Sequence, residues 1–355
     1  MTTETIDEAK LSAFMEHVLG DAAGLMTSTL ATLGDRLGLF KALSRRPATS
    51  SELAAAAEIN ERYAREWLRG MHAAGYLELE RGSGRYTLPP EHAQVVAVEG
   101  GPAFLGGAFQ LTFGYLRTIE HLTEAFRSGG GVPQSAYPSE TWEGMGRFSR
   151  SFYDNLLVQQ WLPMVSGLEP KLERGARWAD VGCGSGIALI RLAEAYPAST
   201  FVGYDNFEGQ LLLARQGAAE AGVSDRVRFE LYDAADGLPE RFDVISTFDV
   251  VHDAIDPAAL LTAIRRALSA DGTYLMLEMN SADDPDDNVG PLATLLYGVS
   301  VLYCMTTSLA HGGAGLGTCG LPAGRVRELC HESGFASVEQ LDLQDPFNSL
   351  YVVKS

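Results

Sequence analysis

Apolar and polar positions recur with helical spacing near the start of the chain. Across residues 21–43 an apolar side chain returns every three to five positions, which predicts an amphipathic helix. Thr49, with Glu52 three residues later, has the spacing of a capping box and predicts the start of a second helix. Asn60 is placed to cap a third helix, which should end at Gly75.

The two segments that follow alternate between apolar and polar residues. They cover 76–80 and 85–88 and flank the glycine-rich turn 81–84, a pattern typical of a β-hairpin. Three helices and a hairpin predict a winged helix-turn-helix, and we assign residues 1–100 to this domain.

A winged helix raises the question of DNA binding. Arg62, Arg65 and Arg69 lie on the third helix at spacings of three and four, but Glu61 and Glu66 stand among them. The chain has 27 Lys and Arg against 46 Asp and Glu, and this net charge of −19 disfavours contact with phosphate backbones. We therefore predict that the domain packs or dimerises rather than reads DNA.

Residues 101–170 are predicted to form a mainly helical connector, interrupted by the glycine-rich loop 128–133. The connector is rich in aromatic residues, which could form a lid over a ligand or belong to an ordinary core. These residues are Tyr137, Trp142, Phe148, Phe152, Tyr153 and Trp161.

Short apolar segments alternate with helical ones across residues 171–355, which predicts a doubly wound parallel sheet. The expected strands are 176–181, 200–204, 227–231, 242–248 and 273–278, the last after a turn at 270–272. A helix at 323–333 and strands near Val338 and at 350–353 are expected to complete the domain.

Composition bears on the solubility of the protein and on the compartment in which we expect it. Hydrophobic residues make up 46% and charged residues 21%, as in a soluble globular protein. The four cysteines lack the spacing of a zinc site or a disulfide framework, so we expect reduced thiols in a cytoplasm. The acidic segment 1–10 does not match an export signal.

The uncharged stretch 289–310 is as long as a membrane span, but its polar residues and acidic neighbours favour a buried or pocket-lining segment.

A glycine-rich loop follows the first strand of the sheet. Gly182, Gly184 and Gly186 stand between that strand and the helical run 187–196, where the backbone can approach a ligand at the amino end of a helix. Asp205 ends the second strand roughly 20 residues after the last glycine, the position of a ribose-binding acid in nucleotide sites. The sequence therefore predicts a nucleoside site.

The third strand ends in a second group of candidates. Asp233 and Ala234 are placed to bond an adenine amino group, and Tyr232 or Phe207 would lie beside the base.

The run 180–186, DVGCGSG, together with Asp205, Asp233-Ala234 and the strand 242–248, resembles the successive motifs of class I S-adenosylmethionine-dependent methyltransferases. The resemblance implies an α/β, Rossmann-like fold with a seven-stranded sheet, mostly parallel with an antiparallel last strand. The winged helix before it is similar to that of the Rv2258c-like subgroup, in which this domain generally mediates dimerisation. A homodimer is thus implied, with S-adenosylmethionine as cofactor, S-adenosylhomocysteine as its product and no metal.

The same resemblance implies roles for the cofactor residues. The three glycines would face the methionine and ribose portions, Asp205 would bind both ribose hydroxyls, and Asp233 with Ala234 would hold adenine. Asp180 would orient the glycine loop or contact the amino group. The full implied set is Asp180, Gly182, Gly184, Gly186, Asp205, Asn206, Asp233, Ala234 and Phe248.

His252 is the candidate general base. It lies just past the carboxyl end of the fourth strand, where open α/β sheets place ligands, and an unperturbed His titrates near a pH of about 6.5. It resembles the His of the His-Asp pair that serves as base in plant-type O-methyltransferases, although Ala254 replaces the Trp usual after that pair. The alternative is a structural His252 that caps the next segment or bonds Asp253 or backbone.

The acceptor is expected between the connector and the insertion after Glu278, whose apolar and aromatic walls suit an apolar or aromatic molecule. The candidate lining residues are Tyr137, Trp142, Tyr153, Tyr297, Tyr303, Cys304, Met305 and His311, the last also a possible second base.

The run 283–287, DDPDD, spells the pattern with which prenyl-transferring enzymes hold magnesium and diphosphate, but Pro285 favours a solvated turn.

Together these features predict a cytoplasmic, homodimeric methyltransferase that acts on a small molecule, with O-methylation favoured because of His252. No nucleic acid or membrane partner is expected. Two alternatives stay open. The chain could be a transcription regulator that senses a ligand and reads DNA, or a pericyclase-like protein that binds S-adenosylmethionine without using its methyl group.

Overall fold

The computed structural model describes residues 6–355, which form two compact units. One unit runs to Phe113 and the other spans Gly114–Ser355. The three-part division at 1–100, 101–170 and 171–355 stays a prediction. The segment 1–10, in which we expect no export signal, lies partly outside the described residues.

The amino-terminal unit has the predicted order of helices followed by a hairpin. Its elements are α1 (Glu8–Arg36), α2 (Leu39–Arg45), α3 (Ser50–Ala57), α4 (Glu61–Ala73), β1 (Glu78–Glu80), β2 (Arg85–Thr87) and α5 (Pro90–Val96), and α6 (Gly106–Leu116) crosses into the second unit. The capping box is present, because Thr49 Oγ1 accepts from the Glu52 N–H while the Glu52 carboxylate accepts from the Thr49 N–H. Asn60 caps α4 as expected.

The helix predicted across 21–43 is instead two helices. α1 begins earlier, at Glu8, where Asp7 caps it, and it ends at Arg36. Gly38 then takes a φ of +67°, a conformation that a helix interior does not contain, before α2 begins. The sequence predicted one helix because the apolar spacing continues across the break. It continues because side chains of both helices pack into the same core, which includes Ala31, Phe40 and Leu43.

The carboxy-terminal unit begins with helices. They are α7 (Ile119–Ser128), α8 (Ser139–Phe152), a π-helical segment (Tyr153–Trp161) and α9 (Leu168–Arg174). The sheet follows with β3 (Arg177–Val181), α10 (Ile187–Ala195), β4 (Thr200–Asp205), α11 (Glu208–Glu220), β5 (Val227–Leu231), β6 (Phe242–Phe248), α12 (Pro257–Ala267), β7 (Leu268–Met279), α13 (Pro291–Val299), a π turn (Ser300–Cys304), α14 (Met305–Ala310), α15 (Ala323–Glu332), β8 (Ser337–Leu341) and β9 (Asn348–Lys354).

The seven-stranded sheet has the order β5-β4-β3-β6-β7-β9-β8. The five strands from β5 to β7 are parallel, and β9 runs antiparallel to both β7 and β8, which confirms the predicted fold class. Two apolar cores cover its faces, with Trp178 and Leu192 on one side and Tyr274 and Ile264 on the other. Since strand order reverses between β3 and β6, the carboxyl ends of these strands form the crevice where such sheets bind ligands.

The turn expected at 270–272 is part of a strand instead. β7 begins at Leu268, which pairs with Phe242, and the next pair joins Val244 to Thr273. Residues 269–272 thus stand opposite the single residue Asp243, and the strand register shifts between these two pairs. Glycine occurs both in turns and at irregular positions within strands, so the sequence alone did not distinguish the two.

The uncharged stretch forms one continuous helix, Pro291–Ala310, that is long and apolar enough to cross a membrane by length and composition. It is packed against its own unit at its carboxyl end. Thr306 Oγ1 accepts the Val132 N–H at 2.9 Å, and Ser308 Oγ donates to the Ala254 carbonyl at 3.0 Å. These contacts hold the carboxyl end of the helix, whereas Leu295 and Tyr297 nearer its start are 50% and 41% exposed, so burial of the whole stretch stays a prediction.

Candidate active site

The loop between β3 and α10 requires its three glycines. Gly182, Gly184 and Gly186 have φ angles of +70°, +52° and +73°, the left-handed region that other residues rarely adopt. A Cβ on Gly186 would lie 2.5 Å from the Phe229 ring, whereas a Cβ on Gly184 would meet only Gln210 Nε2, at 4.0 Å. The backbone therefore packs tightly behind the loop and leaves open space in front of Gly184.

Asp205 holds this loop from the end of β4. Its Oδ2 accepts the Gly184 N–H and its Oδ1 accepts the Phe207 N–H, both at 2.9 Å. Burial raises the pKa of this carboxyl, and the backbone N–H donors oppose that rise. The acid predicted to bind ribose thus lies directly beside the loop.

Asp180 is buried beneath the loop. Its Oδ1 accepts from Ser246 Oγ at 2.6 Å, and that hydroxyl in turn accepts from Trp178 Nε1 at 2.8 Å. Burial raises the pKa of Asp180 to about 7, against the lowering effect of the Ser246 hydrogen bond. A carboxyl so fixed between two strands supports the predicted role of orienting the glycine loop.

The other predicted cofactor residues lie at neighbouring strand ends. Asp233 is exposed and its Oδ1 accepts the Ala235 N–H at 3.0 Å, while Ala234 is buried. Asn206 is exposed beside Asp205, and Phe248 is buried at the end of β6.

The residues around the loop fit a nucleoside cofactor. Gln210 on α11 faces the open space at Gly184 and is 7% exposed, and its Oε1 is buried with no hydrogen-bond partner among the described residues. A ligand hydroxyl or amino group would satisfy this atom. Nothing in the sequence marked Gln210, because a Gln at helical spacing is an ordinary surface residue in pattern alone.

His252 is 2% exposed, and its Nδ1 lies 2.5 Å from Glu278 Oε2. A carboxylate oxygen accepts, so Nδ1 carries a proton, and Nε2 holds a lone pair whenever the ring is neutral. Glu278 Oε1 accepts the Val251 N–H at 2.9 Å. Burial lowers the pKa of His252, but the Glu278 carboxylate, aided by Cys304, outweighs it and raises that pKa well above its ordinary value.

Glu278 is the partner that sequence reasoning missed. The alternatives weighed for His252 were Asp253 and backbone, whereas the partner comes from the end of β7, the neighbouring strand. An acid at the end of a buried strand was the only available signal, and it becomes informative only once strand order is known.

Two further acids face His252. Asp249 has a φ of +59°, and its Oδ1 is buried with no hydrogen-bond partner among the residues that the structure describes. Burial, with Glu278 nearby, raises the pKa of Asp249 to about 7, and burial raises the pKa of Asp253 to about 7 although His252 lowers it. A strained acid with an unused oxygen at a strand end is typical of a functional position.

Aromatic side chains gather beside this cluster, and three of the predicted lining residues are among them. Tyr303 lies 5.2 Å from Tyr137 and 5.8 Å from Trp142 between ring centroids. Tyr115, which the sequence did not single out, stacks on Tyr303 at 5.3 Å, and Phe207 lies 5.0 Å from Trp142. Phe207 follows Asp205 in sequence, so these rings adjoin the cofactor residues.

The remaining predicted lining residues are placed differently. The ring centroids of Tyr153 and Phe248 lie 5.7 Å apart, and Met305 is half-buried. Tyr297 is 41% exposed and His311 is exposed. The structure does not bring the last two side chains into the buried aromatic group.

The run DDPDD forms an exposed turn, as predicted. Its Pro285–Asp287 segment is a single 3₁₀ turn, capped by Asp284. Donor atoms able to hold a metal ion converge elsewhere, in His252, Asp253 and Cys304 and in Asp249, His252 and Glu278.

Family comparisons agree with this geometry. Residues 172–302 match the model described as a methyltransferase domain, and residues 22–97 match the Rv2258c-like winged HTH domain. Among curated proteins, the chain is 30% identical over 152 residues to the ubiquinone biosynthesis O-methyltransferase of Dinoroseobacter shibae, across 41% of this chain and 60% of that protein. The chain thus spans less than two thirds of the length of this relative.

Solved structures share the fold over nearly the whole chain. Human N-acetylserotonin methyltransferase in complex with SAM has a TM-score of 0.72 at 18% identity and covers 100% of both chains. The mitomycin 7-O-methyltransferase MmcR has a TM-score of 0.72 at 18% identity, across 98% of this chain and 100% of that one. The chain therefore contains one segment that matches a methyltransferase domain and one that matches an Rv2258c-like winged HTH domain, and it shares its fold with these methyltransferases.

Proposed function

We propose that the protein is an S-adenosylmethionine-dependent methyltransferase that methylates an oxygen of a small apolar or aromatic molecule, with His252 as general base. The observation that carries this proposal is the position of His252 beside the glycine loop. A Cβ on Gly182 would lie 2.5 Å from the Val250 side chain, and Val250 precedes His252 by two residues. The base and the loop therefore share one edge of the sheet.

Asp205, Gln210 and the glycine loop would hold the cofactor. Three features support this assignment: the open space at Gly184, the adjoining Asp205 carboxylate, and Gln210 Oε1, which has no hydrogen-bond partner within residues 6–355. Asp180 ties β3, the strand that leads into the loop, to β6 through Ser246. When bound, S-adenosylmethionine supplies a methyl group activated by its sulfonium. Relatives of the fold were solved with SAH or with SAM, which favours the same cofactor here.

Glu278 makes His252 a stronger base. Its carboxylate accepts from Nδ1, which leaves Nε2 to take a proton from the acceptor hydroxyl. The same carboxylate stabilises the imidazolium that forms, since the two groups are buried together. This pair favours O-methylation, because a hydroxyl must lose a proton whereas a neutral amine can attack without a base.

The aromatic group supports an apolar or aromatic acceptor. Tyr137 and Trp142 pack against Tyr303, which precedes Cys304 of the His252 cluster. The hydroxyl groups of the two tyrosines already form hydrogen bonds. Tyr137 donates to the Leu302 carbonyl at 2.7 Å, and Tyr303 accepts from Gln134 Nε2 at 3.1 Å. The rings therefore offer mainly apolar surface to a ligand.

We also propose that the chain forms a homodimer through its amino-terminal unit. α1 exposes a row of large apolar side chains at steps of one to six residues, which a single copy leaves in solvent. They are Leu11, Phe14, Met15, Val18, Leu19, Leu25 and Met26, exposed by 43% to 69%. A second copy of α1 could bury this row.

A cytoplasmic location and a non-DNA role complete the proposal. The four cysteines are all free thiols, as expected of a reducing compartment. On α4, Arg65 pairs with Glu61 and Arg62 pairs with Glu66, so these two charges are already balanced by acids. These ion pairs argue against the hypothesis that α4 binds the phosphates of DNA.

The proposal is tested with methyl-labelled S-adenosylmethionine and a panel of phenols, alcohols, amines and carboxylates. We expect label on a phenol or an alcohol and release of S-adenosylhomocysteine in equal amount. Failure to bind either cofactor form in calorimetry would refute the proposal. Cofactor binding without transfer to any acceptor would instead favour the pericyclase-like alternative.

A further inference from the structure

Around His252, donor atoms of three kinds come within the reach of one ion. A ring nitrogen of His252, a carboxylate oxygen of Asp253 and Cys304 Sγ all lie within 4.8 Å of one another. His252 and Cys304 are 2% and 6% exposed, so water competes little for these atoms. Nitrogen, sulfur and oxygen donors in one buried group are the set that Zn²⁺ prefers.

Glu278 supports this group through a hydrogen bond to His252 and is not itself one of the three ligands. Metal-binding His residues nearly always donate their second ring N–H to a carboxylate or carbonyl, which fixes the ring and strengthens the ligand. His252 does so through Nδ1, at 2.5 Å from Glu278 Oε2. Its Nε2 is then the nitrogen left for an ion. The second group of possible ligands, which uses Asp249 and Glu278, would compete with this hydrogen bond.

We propose that His252 Nε2, Cys304 Sγ and the Asp253 carboxylate form a site for one Zn²⁺ ion, and that the ion inhibits methyl transfer. Zinc binding converts the Cys304 thiol to a thiolate and releases its proton to solvent. Three protein ligands leave a fourth position for water. The ion is an inhibitor rather than a cofactor, because it occupies the lone pair on Nε2 that a general base needs.

Binding is tested on the full chain after chelator treatment, by titration with Zn²⁺ in calorimetry. We expect one ion per chain. Cys304→Ser keeps the shape of the side chain but removes the soft ligand, and we expect affinity at least tenfold weaker. Cys330→Ala is the matched control, since Cys330 is a buried free thiol that is not among the donor groups that converge at His252 in the described part of the chain, and its affinity should equal that of the unchanged protein.

Cobalt(II) provides a second measurement that does not depend on activity. A thiolate-to-cobalt charge-transfer absorption should appear in the unchanged chain and in Cys330→Ala and vanish in Cys304→Ser. Should Cys304→Ser fold poorly by circular dichroism, Asp253→Asn takes its place in the titration, with weaker zinc binding expected. Absence of stoichiometric zinc binding, or equal affinity in Cys304→Ser, would overturn the site.

The inhibitory role rests on the proposed function and is measured separately. Methyl transfer should fall as Zn²⁺ is added and return when a chelator is added, with Cys304→Ser needing at least tenfold more zinc. Stoichiometric binding with undiminished turnover would refute the inhibition while leaving the site. A chain that binds zinc but transfers no methyl group under metal-free conditions would count against the methyltransferase proposal, not against the zinc site.

Discussion

Glu278 uses both of its carboxylate oxygens to hold the segment that follows β6. Oε2 lies 2.5 Å from His252 Nδ1, and Oε1 accepts the N–H of Val251, the preceding residue. One buried acid thus fixes the ring of the candidate base and the backbone that carries it. Because Glu278 stands at the end of β7, the pairing of β6 with β7 sets the position of His252.

Replacement of His252 by Ala should lower turnover by about 10²-fold to 10⁴-fold, the contribution typical of a positioned base. Calorimetric affinity for S-adenosylhomocysteine should change little, since the glycine loop and Asp205 remain. Glu278→Gln has one acceptor oxygen where the carboxylate has two, so it cannot keep both hydrogen bonds and also removes the charge, and its turnover should fall as well. Unchanged turnover in His252→Ala would eliminate the base assignment.

Asp205→Ala should weaken binding of S-adenosylhomocysteine by about 10-fold to 100-fold, because a hydrogen bond to a charged group contributes about 1.5–3 kcal/mol. The matched control is Glu208→Gln, three residues later, whose carboxylate is engaged with Arg215 at the surface. Calorimetry should show unchanged affinity in this control. Equal affinities for all three proteins would remove Asp205 from the cofactor site.

Gly186→Ala and Gly222→Ala separate backbone strain from a steric clash. Both glycines have similar φ angles, +73° and +69°, so each substitution should cost about 1–2 kcal/mol in strain. At Gly186 the new Cβ would also lie 2.5 Å from the Phe229 ring and 2.9 Å from Ala214, whereas at Gly222 it meets nothing within 4 Å. Thermal unfolding should therefore show a clearly larger fall in Tm for Gly186→Ala, and similar falls would contradict the packing described.

The sequence was informative where one local pattern decides the structure. The glycine loop, the capping box and the strand-end position of Asp205 each depend on residues close together along the chain, and each stands as predicted. Glu278 and Gln210 escaped notice because their importance depends on which strands and helices become neighbours. The break at Gly38 was missed because its flanking helices share a core, which preserves the apolar periodicity.

Charged substitutions on α1 test the homodimer. Phe14 and Val18 are 65% and 47% exposed and lie four residues apart, so they share one face of the helix. The double variant Phe14→Glu, Val18→Glu should be a monomer in sedimentation equilibrium, while the unchanged chain is a dimer. Glu16→Lys, on the same helix, is the control and should leave the dimer intact. A monomeric unchanged chain would refute the proposed dimer.

The contribution of Glu52 to stability should depend on pH in a defined direction. Its carboxylate accepts from the Thr49 backbone N–H and lies 2.6 Å from Arg85 in an ion pair, and these contacts lower its pKa from 4.5 to about 2. A group whose pKa is lower in the folded state stabilises that state above its unfolded pKa, and the benefit disappears as pH falls through the folded value. Glu52→Gln should therefore have a lower Tm than the unchanged chain at pH 7, measured by circular dichroism, and the difference should narrow steadily below a pH of about 4.5. Asp236→Asn removes an exposed acid from the other unit and should show no such narrowing. A Tm difference for Glu52→Gln that stays constant between neutral and acidic pH would show that the carboxylate charge does not stabilise this hairpin and helix.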